Sequence, residues 1–241
     1  RWGAERARVA FVAMGRYGGR ECSYASDADV IALHEAVGGA SDSEAAASAT
    51  AIVNRVKKLL GSATSQLGIV VDLDLRPEGK NGPMSRTIAS HEEYAQRWAS
   101  TWERQAAVRA RPIGDGGLAQ AARSLFESMA YRDVSEAEVR DIRLLKARME
   151  NERLPRGTEP ARHVKLGPGG LTDVEWTIQL IQMRAGTNNL ALRTPSTTQA
   201  IQSAREHELI SAQDAQTLLD AWDMATRIRA ANTLATGRMS G

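Results

Sequence analysis

Three short apolar segments, separated by polar or glycine-rich stretches, mark the first third of the chain. Residues 8–15 (RVAFVAMG), 29–33 (DVIAL) and 67–76 (LGIVVDLDLR) are rich in β-branched or other apolar residues, which is typical of strands. Between the last two, residues 42–66 carry apolar side chains at helical spacing, with Gly61 as a stop signal. The pattern predicts the order strand, loop, strand, helix, strand.

A long amphipathic segment follows the turn at residues 79–83. In residues 90–111, Ser90 and Glu93 have the spacing of a capping box, so the pattern predicts a helix that begins there. Its aromatic side chains recur every four residues and share one helical face. We expect this face to be a core-facing seam; the alternative is a platform for a ligand. The stripe consists of Tyr94, Trp98 and Trp102.

Strand patterns nearly vanish after residues 112–117 (PIGDGG), where glycine and proline mark a boundary. Beyond this point the sequence carries repeated helix start and stop signals. These signals are Ser135 with Glu138, Gly186, Pro195, and Ser211 with Asp214. The sequence therefore predicts an α+β domain over residues 1–115, followed by an all-α helical bundle over residues 116–241.

The composition excludes several classes of protein. Hydrophobic residues make up 42% of the 241 residues, and 31 Lys and Arg against 29 Asp and Glu leave a net charge of +2. No run of basic residues favours a dedicated nucleic-acid surface, and no apolar stretch approaches the roughly 20 residues of a membrane helix. The one cysteine, Cys22, cannot form an internal disulfide, which favours a reducing, cytoplasmic setting.

Two pairs of aspartates lie on predicted strands, and one residue separates the members of each pair. Alternate residues of a strand face the same way, so Asp27 and Asp29 share one face, as do Asp72 and Asp74. Carboxylates this close repel each other unless a divalent cation or solvent lies between them. If the two strands are neighbours, three or four carboxylates converge in a site that suits Mg²⁺ or Mn²⁺.

The residues before the first pair suit a nucleotide phosphate. Gly18 and Gly19 let the backbone approach phosphate oxygens, and the Ser26 hydroxyl adds a donor. The sequence contains neither a Walker loop nor a dinucleotide-binding loop. The residues alone favour a metal-dependent phosphoryl or nucleotidyl transfer site; the alternative is a structural role, with the aspartates on a solvated loop.

Four blocks of the sequence resemble a known family in their content and order. In these blocks the chain is similar to the DNA polymerase β-like nucleotidyltransferases, in the version found in the bifunctional glutamine synthetase adenylyltransferases. The resemblance covers residues 8 to 186, and the helical remainder fits the family's bundle. The blocks are MGRYGGRECSYASDADV (14–30), VDLDLRPEGKNGP (71–83), TWERQAAVRARPIGD (101–115) and KLGPGGLTDVEWTIQ (165–179).

The resemblance implies a polymerase β-like nucleotidyltransferase fold for the first domain and roles for individual carboxylates. It makes Asp27 and Asp29 paired catalytic metal ligands and Asp72 the third carboxylate, with ATP as the substrate and Mg²⁺ or Mn²⁺ as the cofactor. Asp74 stands where related sequences carry a basic residue, so it is assigned no role.

Several charged residues are candidates for further contacts. Arg76 and Lys80 flank the third carboxylate and either bind the triphosphate or are solvated surface charges. Lys165, in the turn KLGPGG, is the best candidate in its segment to meet an anion. The acids that follow it, Asp173 and Glu175, either compensate a helix dipole or contact the active site, as the resemblance implies.

The remaining basic residues are given weaker assignments. The four histidines are scattered along the chain, and none is assigned a catalytic role. Three arginines beside the aromatic stripe are expected to be surface charges, with one or two lining the nucleotide cleft. They are Arg104, Arg109 and Arg111.

The resemblance also implies a reaction, the transfer of AMP from ATP to a tyrosine hydroxyl of glutamine synthetase, which regulates nitrogen assimilation. Glutamine synthetase is then the protein substrate, and a nitrogen signal-transduction protein is a further partner. Residues 99–111 and 169–176 are closer to the attaching module of these enzymes than to the removing one. Two alternatives stay open: phosphorolytic removal of AMP from the same target, and a non-catalytic docking module.

Overall fold

The first two apolar segments form strands, as the sequence predicts. The computed structural model describes residues 6–61, 68–155 and 157–237. Strand β1 spans Ala7–Ala13, and a four-residue helix, α1, spans Gly15–Gly18. Strand β2 spans Ala28–Ala36, and the predicted helix α2 spans Asp42–Gly61. The mixed pattern of strands and helices predicted for this part of the chain is confirmed.

Three strands of two residues each complete the sheet. They are β3 (Val71–Asp72), β4 (Ser85–Arg86) and β5 (Arg111–Pro112). β1 pairs with β2 in antiparallel fashion, and β5 pairs with β1 in the same sense. β3 and β4 both pair with β2 in parallel, and β3 lies beside the start of β2. In the described part of the chain the order is therefore β3-β2-β1-β5, with β4 also beside β2.

One face of this sheet packs on α2. Val30 of β2 and Val71 of β3 join Val53 of α2 in a buried apolar cluster. Because successive side chains of a strand point to opposite faces, Asp29 and Asp72 lie on the other face. The hydrophobic pattern thus fixes which way these two carboxylates point.

The prediction of a third strand over residues 67–76 is wrong in the length of that strand. Leu67 lies outside the described residues, and the strand itself covers only Val71–Asp72. Beyond it the Asp74 N–H donates to Asp72 Oδ1 at 2.6 Å. Such a local bond satisfies the backbone donor without a strand ladder and favours a turn. Asp72 and Asp74 therefore do not share a strand face, contrary to the sequence pattern.

The amphipathic segment forms two helices, where the pattern predicted one that begins at Ser90. The predicted start is wrong, because Thr87 is the N-cap and its hydroxyl oxygen accepts from the Ser90 N–H at 3.2 Å. A break occurs because the Ser100 N–H donates to the Glu103 carboxylate at 2.8 Å, in a capping box that starts a new helix. The break turns the aromatic stripe outward: Trp98 is 63% exposed and Trp102 is 39% exposed, so the expected core seam is wrong. The two helices are α3 (Ile88–Arg97) and α4 (Thr101–Ala107).

From Gly117 onward the described residues form helices and no strand, as predicted. The chain divides into two compact units, one with residues up to 22 and 26–129, the other with residues 23–25 and those from 130 on. The sequence placed the boundary at 115/116, whereas α5 falls almost entirely within the first unit. The helices are α5 (Gly117–Ala130), α6 (Glu136–Glu152), α7 (Leu171–Ala185), α8 (Thr197–Glu206) and α9 (Ala212–Thr236).

The second unit has its own core, shared by α7, α8 and α9. Leu171, Val174 and Ile178 recur at helical spacing along α7 and are almost fully buried. They join Ile201 of α8 and Trp222 of α9 in one cluster. Among the described helices, none has both the length and the apolar character needed to cross a membrane.

Helix α6 starts with the capping box that the sequence predicts. The Ser135 N–H donates to the Glu138 carboxylate at 2.9 Å, and the Glu138 N–H donates to Ser135 Oγ at 3.3 Å. We expect Ser135→Ala to lower the free energy of unfolding by about 1 kcal/mol, because alanine leaves a helix N–H without its partner. Urea denaturation measures this, with Ser124→Ala on the exposed face of α5 as the control. An equal loss in both variants would show that the cap is unimportant.

His91 is a buried neutral side chain in the first unit. It is 1% exposed, and its ring lies 5.2 Å from the Phe126 ring, centroid to centroid. Its Nδ1 atom is buried without a hydrogen-bond partner among the described residues. Burial, and to a smaller extent the nearby Arg86 charge, lowers the pKa of His91 from 6.5 to about 4.

This shift predicts a specific loss of stability in acid. Between pH 6.5 and about 4 the unfolded chain binds a proton at His91 and the folded chain does not, so stability falls as the pH falls. We expect His91→Gln to remove up to about 1.4 kcal/mol per pH unit of this dependence. Urea denaturation of both proteins from pH 4 to 7 measures the difference. Parallel stability curves would contradict the assignment.

Candidate functional site

The register of β2 and β3 aligns two of the three predicted metal ligands. Asp29 pairs with Asp72 across these parallel strands, just as Ala28 pairs with Val71. Neighbouring strands lie about 5 Å apart, and paired residues point to the same face of the sheet. Both aspartates are half-buried. The fold therefore brings together two carboxylates that are 43 positions apart in the chain.

The third predicted ligand, Asp27, lies immediately before β2, next to Ser26, and both residues are half-buried. Within the described ranges, no group of three or more Asp, Glu, His or Cys side chains is arranged to hold a metal ion. A Mg²⁺ ion, however, commonly takes only one or two carboxylates from the protein and its other ligands from phosphates and water. Asp29 and Asp72 fit such an ion, and Asp27 as a ligand stays a prediction.

The segment after β3 orients Asp72. The Asp74 N–H holds Asp72 Oδ1 at 2.6 Å, which fixes the direction of this carboxylate. The Asp74 side chain turns to two cations, with Lys80 Nζ at 3.3 Å and an Arg76 nitrogen at 3.7 Å. The Asp74 side chain thus stabilises the turn, and its backbone N–H supports the predicted metal ligand Asp72.

The two predicted triphosphate contacts differ in their surroundings. The Arg76 guanidinium is 10% exposed and donates to the carbonyls of Leu73, Lys80 and Gly82 at 2.9, 3.1 and 3.2 Å. Its donors therefore hold the turn closed. Lys80 is 81% exposed, so its ammonium is open to solvent and to a ligand. Phosphate binding by either residue stays a prediction.

The glycine-rich loop, residues 15–21 between β1 and β2, lies against Asp29 through Gly15. The sequence pattern did not favour this glycine. The Met14 N–H donates to the Asp29 carbonyl at 2.9 Å. Gly15 has φ +51°, and a Cβ atom there would lie 3.0 Å from Asp29 Oδ2. A residue without a side chain is needed at this position, both for the backbone conformation and for the close approach to the carboxylate.

Gly18 and Gly19, the glycines that the sequence favoured, have packing roles. Both are buried, and their N–H groups donate to the carbonyls of Met14 and Gly15 at 2.7 and 3.2 Å. A Cβ atom on Gly18 would lie 1.8 Å from the Arg109 carbonyl oxygen. Their predicted contact with phosphate stays a prediction.

Two of the three arginines expected at the surface are buried, so that expectation is wrong for them. Arg104 is 2% and Arg109 is 3% exposed. Arg109 Nε donates to the Gly15 carbonyl at 3.1 Å, and its terminal nitrogen pairs with Glu21 at 2.6 Å. Sequence reasoning missed this because the partners are far apart along the chain and no local pattern marks them.

Arg111 makes a second set of contacts to the same loop. Its Nε donates to the Gly18 carbonyl at 2.8 Å, and a terminal nitrogen donates to the Tyr17 carbonyl at 2.9 Å. The guanidinium also lies over the Tyr17 ring, 5.7 Å from its centroid. The loop between β1 and β2 is therefore held by Arg109, which lies between α4 and β5, and by Arg111, the first residue of β5.

Lys165, Asp173 and Glu175 belong to the second unit. Lys165 is exposed, and its carbonyl accepts from the N–H of Thr172 at 3.0 Å. Asp173 accepts from the Gly169 N–H at 2.7 Å and forms an ion pair with Lys146, so it supports the start of α7. Anion binding by Lys165 stays a prediction. For Glu175, compensation of the helix dipole and contact with the active site both stay open.

Comparisons with known protein families match both halves of the chain. The model described as glutamate-ammonia ligase adenylyltransferase matches residues 2–125, which is just over half of the chain. The model described as GlnD PII-uridylyltransferase matches residues 143–240. The first match includes Asp27, Asp29 and Asp72, together with the arginines that hold the glycine-rich loop.

Curated relatives carry a consistent name, bifunctional glutamine synthetase adenylyltransferase/adenylyl-removing enzyme. The relative from Streptomyces coelicolor is 46% identical over 234 residues, which is 96% of this chain and 23% of that protein. One from Bifidobacterium longum subsp. infantis is 47% identical over 96% of the chain and 22% of its own length. One from Mycobacterium marinum is 43% identical over 98% of the chain and 24% of its own length. The chain thus spans about a quarter of the length of these relatives.

Proposed function

Because the chain belongs to the glutamate-ammonia ligase adenylyltransferase family, we propose that it transfers AMP from ATP to a tyrosine hydroxyl of glutamine synthetase. The curated relatives support this proposal by their name. The observation that carries it is the register of Asp29 with Asp72, since two aligned carboxylates on neighbouring strands suit a metal-bound nucleotide.

In the proposed reaction, the tyrosine hydroxyl loses its proton to solvent as its oxygen forms a bond to the α-phosphorus. The bond from that phosphorus to the oxygen that bridges to the β-phosphate breaks, and pyrophosphate leaves with the electron pair. When bound, Mg²⁺ or Mn²⁺ would lower the pKa of the hydroxyl and stabilise the charge that develops on the phosphates. Asp29 and Asp72, with Asp27, would hold the ion, and the Asp74 N–H keeps the Asp72 carboxylate oriented.

Further contacts complete the proposal. The exposed ammonium of Lys80 would meet the triphosphate, and Arg76, whose guanidinium also holds the turn closed, stays a predicted triphosphate contact. We assign Ser26 and Lys165 to phosphate contacts on the sequence pattern alone. A nitrogen signal-transduction protein as a regulatory partner rests on the family resemblance.

The reverse chemistry is the second candidate: an oxygen of inorganic phosphate bonds to the phosphorus of the attached AMP, and the bond from that phosphorus to the tyrosine oxygen breaks. The products are ADP and the free tyrosine hydroxyl. This reaction is favoured by the relatives' name, which includes an adenylyl-removing activity. The family resemblance favours attachment at residues 169–176, because it implies an arginine in the removing module where this chain has the acid of Thr172-Asp173.

A paired assay tests the direction. The chain is incubated with glutamine synthetase, Mg²⁺ and ATP labelled at the α-phosphate, and separately with adenylylated glutamine synthetase and phosphate. We expect label on the target in the first tube and little ADP in the second. ADP release without labelling would assign the removing reaction. If neither product forms and ATP binds equally well with and without the metal, the result would favour a docking module.

A further inference from the structure

We propose that Arg109 and Arg111 are positioning residues: together with Glu21 they hold the loop of residues 15–21 so that Asp29 keeps its place beside Asp72. The inference rests on the proposed function and deepens it, because it assigns a role in cation binding to side chains outside the carboxylate set. Neither arginine is proposed to touch the nucleotide.

The loop needs outside support because its own structure is too short to be stable. Helix α1 has four residues, and isolated helices shorter than about 12 residues are marginal in water. Within the loop, the carbonyls of Gly15 and Tyr17 accept only long bonds, from the N–H groups of Gly19 and Arg20 at 3.2 and 3.3 Å. Three guanidinium bonds from a distant segment reach the carbonyls of this loop. The acceptors are Gly15, Tyr17 and Gly18.

The sheet brings this segment to the loop. In the pairing of β1 with β5, Ala13 lies opposite Arg111. Ala13 is the last residue of β1, two positions before α1, so the antiparallel register sets Arg111 beside the start of the loop. The backbone at Arg109 also contacts the loop directly. It lies so close to Gly18 that there is no room for a side chain on that residue.

The ion pair of Arg109 with Glu21 closes the other end of the loop. The two side chains are 3% and 12% exposed, and the atoms lie 2.6 Å apart. Removing one partner of a pair this deeply buried leaves an uncompensated charge, which costs several kcal/mol more than losing a surface pair. The pair therefore strongly favours the one loop position in which both groups meet.

The position of the loop is passed on to Asp29 by two contacts. The Met14 N–H holds the Asp29 carbonyl at 2.9 Å, and Gly15 leaves only enough room for the carboxylate beside its backbone. If the loop moved, the main chain and the side chain of Asp29 would each lose one support, in addition to the pairing of β2 with β3.

Electrostatics and positioning predict effects of opposite sign, which makes the proposal testable. Partial burial raises the pKa of the Cys22 thiol; Asp29 raises it further and Arg109 and Arg111 lower it, so these charges lie within electrostatic reach of one atom. Weakening a positive charge near carboxylates should, by charge alone, strengthen their binding of a cation. Loss of positioning should weaken it.

The test uses Mn²⁺ alone, without nucleotide, titrated by electron paramagnetic resonance. Arg111→Gln removes the positive charge together with the two-pronged bond to the loop carbonyls, and Arg111→Lys keeps the charge but loses that bond. We expect both variants to bind Mn²⁺ about tenfold more weakly than wild type. Arg97→Lys, at an exposed arginine of the same unit, is the matched control and should bind normally.

Hydrogen exchange of residues 15–21, measured without metal, supplies a readout independent of the site's chemistry. We expect faster exchange in Arg111→Gln and Arg111→Lys and no change in Arg97→Lys. Unchanged exchange and unchanged or tighter Mn²⁺ binding in the variants would overturn the proposal, and so would a wild type that binds no Mn²⁺. If Arg111→Gln lacks a cooperative melting transition, Arg111→Lys, which is the milder change, decides the matter.

These outcomes separate the inference from the proposed function. A wild type that binds Mn²⁺ but moves no AMP in either direction defeats the proposed function, while the loop measurements still decide the inference. Conversely, active variants with normal Mn²⁺ affinity defeat the inference and leave the proposed reaction intact.

Discussion

Replacing Asp29 with asparagine is expected to lower kcat/KM for AMP transfer by at least about a thousandfold, because the variant loses one of the two carboxylates that the sheet aligns. Asparagine has almost the same shape as aspartate but no charge, so the packing against Gly15 should survive. The loss should therefore be chemical rather than structural. Transfer of label from α-labelled ATP to glutamine synthetase measures it, with melting temperature as the check on folding.

The matched control is Asp74→Asn. Asp74 lies two residues beyond Asp72, is exposed, and supports that ligand through its backbone N–H, which asparagine keeps. We expect this variant to lose less than about fivefold, the effect of weakening its ion pair with Lys80. Equal losses at positions 29 and 74 would mean that the register with Asp72 has no special role in the reaction.

Gly18→Ala is expected to destabilise the first unit by at least about 3 kcal/mol. The added Cβ would lie 1.8 Å from the Arg109 carbonyl oxygen and 2.9 Å from the Ala13 carbonyl oxygen. Both neighbours are backbone atoms in or beside the sheet, so neither can move aside without breaking β1–β5 pairing. Urea denaturation followed by circular dichroism measures the loss.

Gly117→Ala provides the comparison for this substitution. It adds the same atom at the first residue of α5, where nothing lies within 4 Å, and alanine favours a helix. We expect it to be neutral or slightly stabilising. If Gly18→Ala is equally harmless, the close contact between the loop and the segment at Arg109 does not exist in solution.

The elements that the sequence predicted well are those with strong local patterns. β1, β2 and α2 follow from apolar periodicity, and the start of α6 follows from Ser135 and Glu138, whose capping box needs no distant partner. The order of mixed strands and helices followed by helices alone was predicted for the same reason. In each of these cases the signal and the structure that it specifies lie within a few residues. The family was predicted instead from the resemblance of four sequence blocks.

Where the predictions were wrong, a second local signal competed with the first. Ser100 and Glu103 form a capping box in the middle of the aromatic stripe, and their bond ended α3 and exposed Trp98. In the same way, the bond from the Asp74 N–H to Asp72 Oδ1 ended β3 after two residues. In both cases a side chain bound the backbone and replaced the periodic structure.

The support of the site was invisible because it is made of long-range contacts. Arg109 reaches Glu21 across 88 positions, and nothing near Arg109 in the sequence distinguishes it from a surface arginine. The alignment of Asp29 with Asp72 was predicted only on the condition that the two strands are neighbours. Pairing of β2 with β3 supplies that condition.

The most direct test of the account is a crystal structure of the chain with Mn²⁺ and a nonhydrolysable ATP analogue. Anomalous scattering locates the metal without reference to the protein. We predict an anomalous peak within about 2.3 Å of a carboxylate oxygen of both Asp29 and Asp72, with the analogue's phosphates completing the coordination. A metal bound with the analogue that contacts neither aspartate would contradict the central claim.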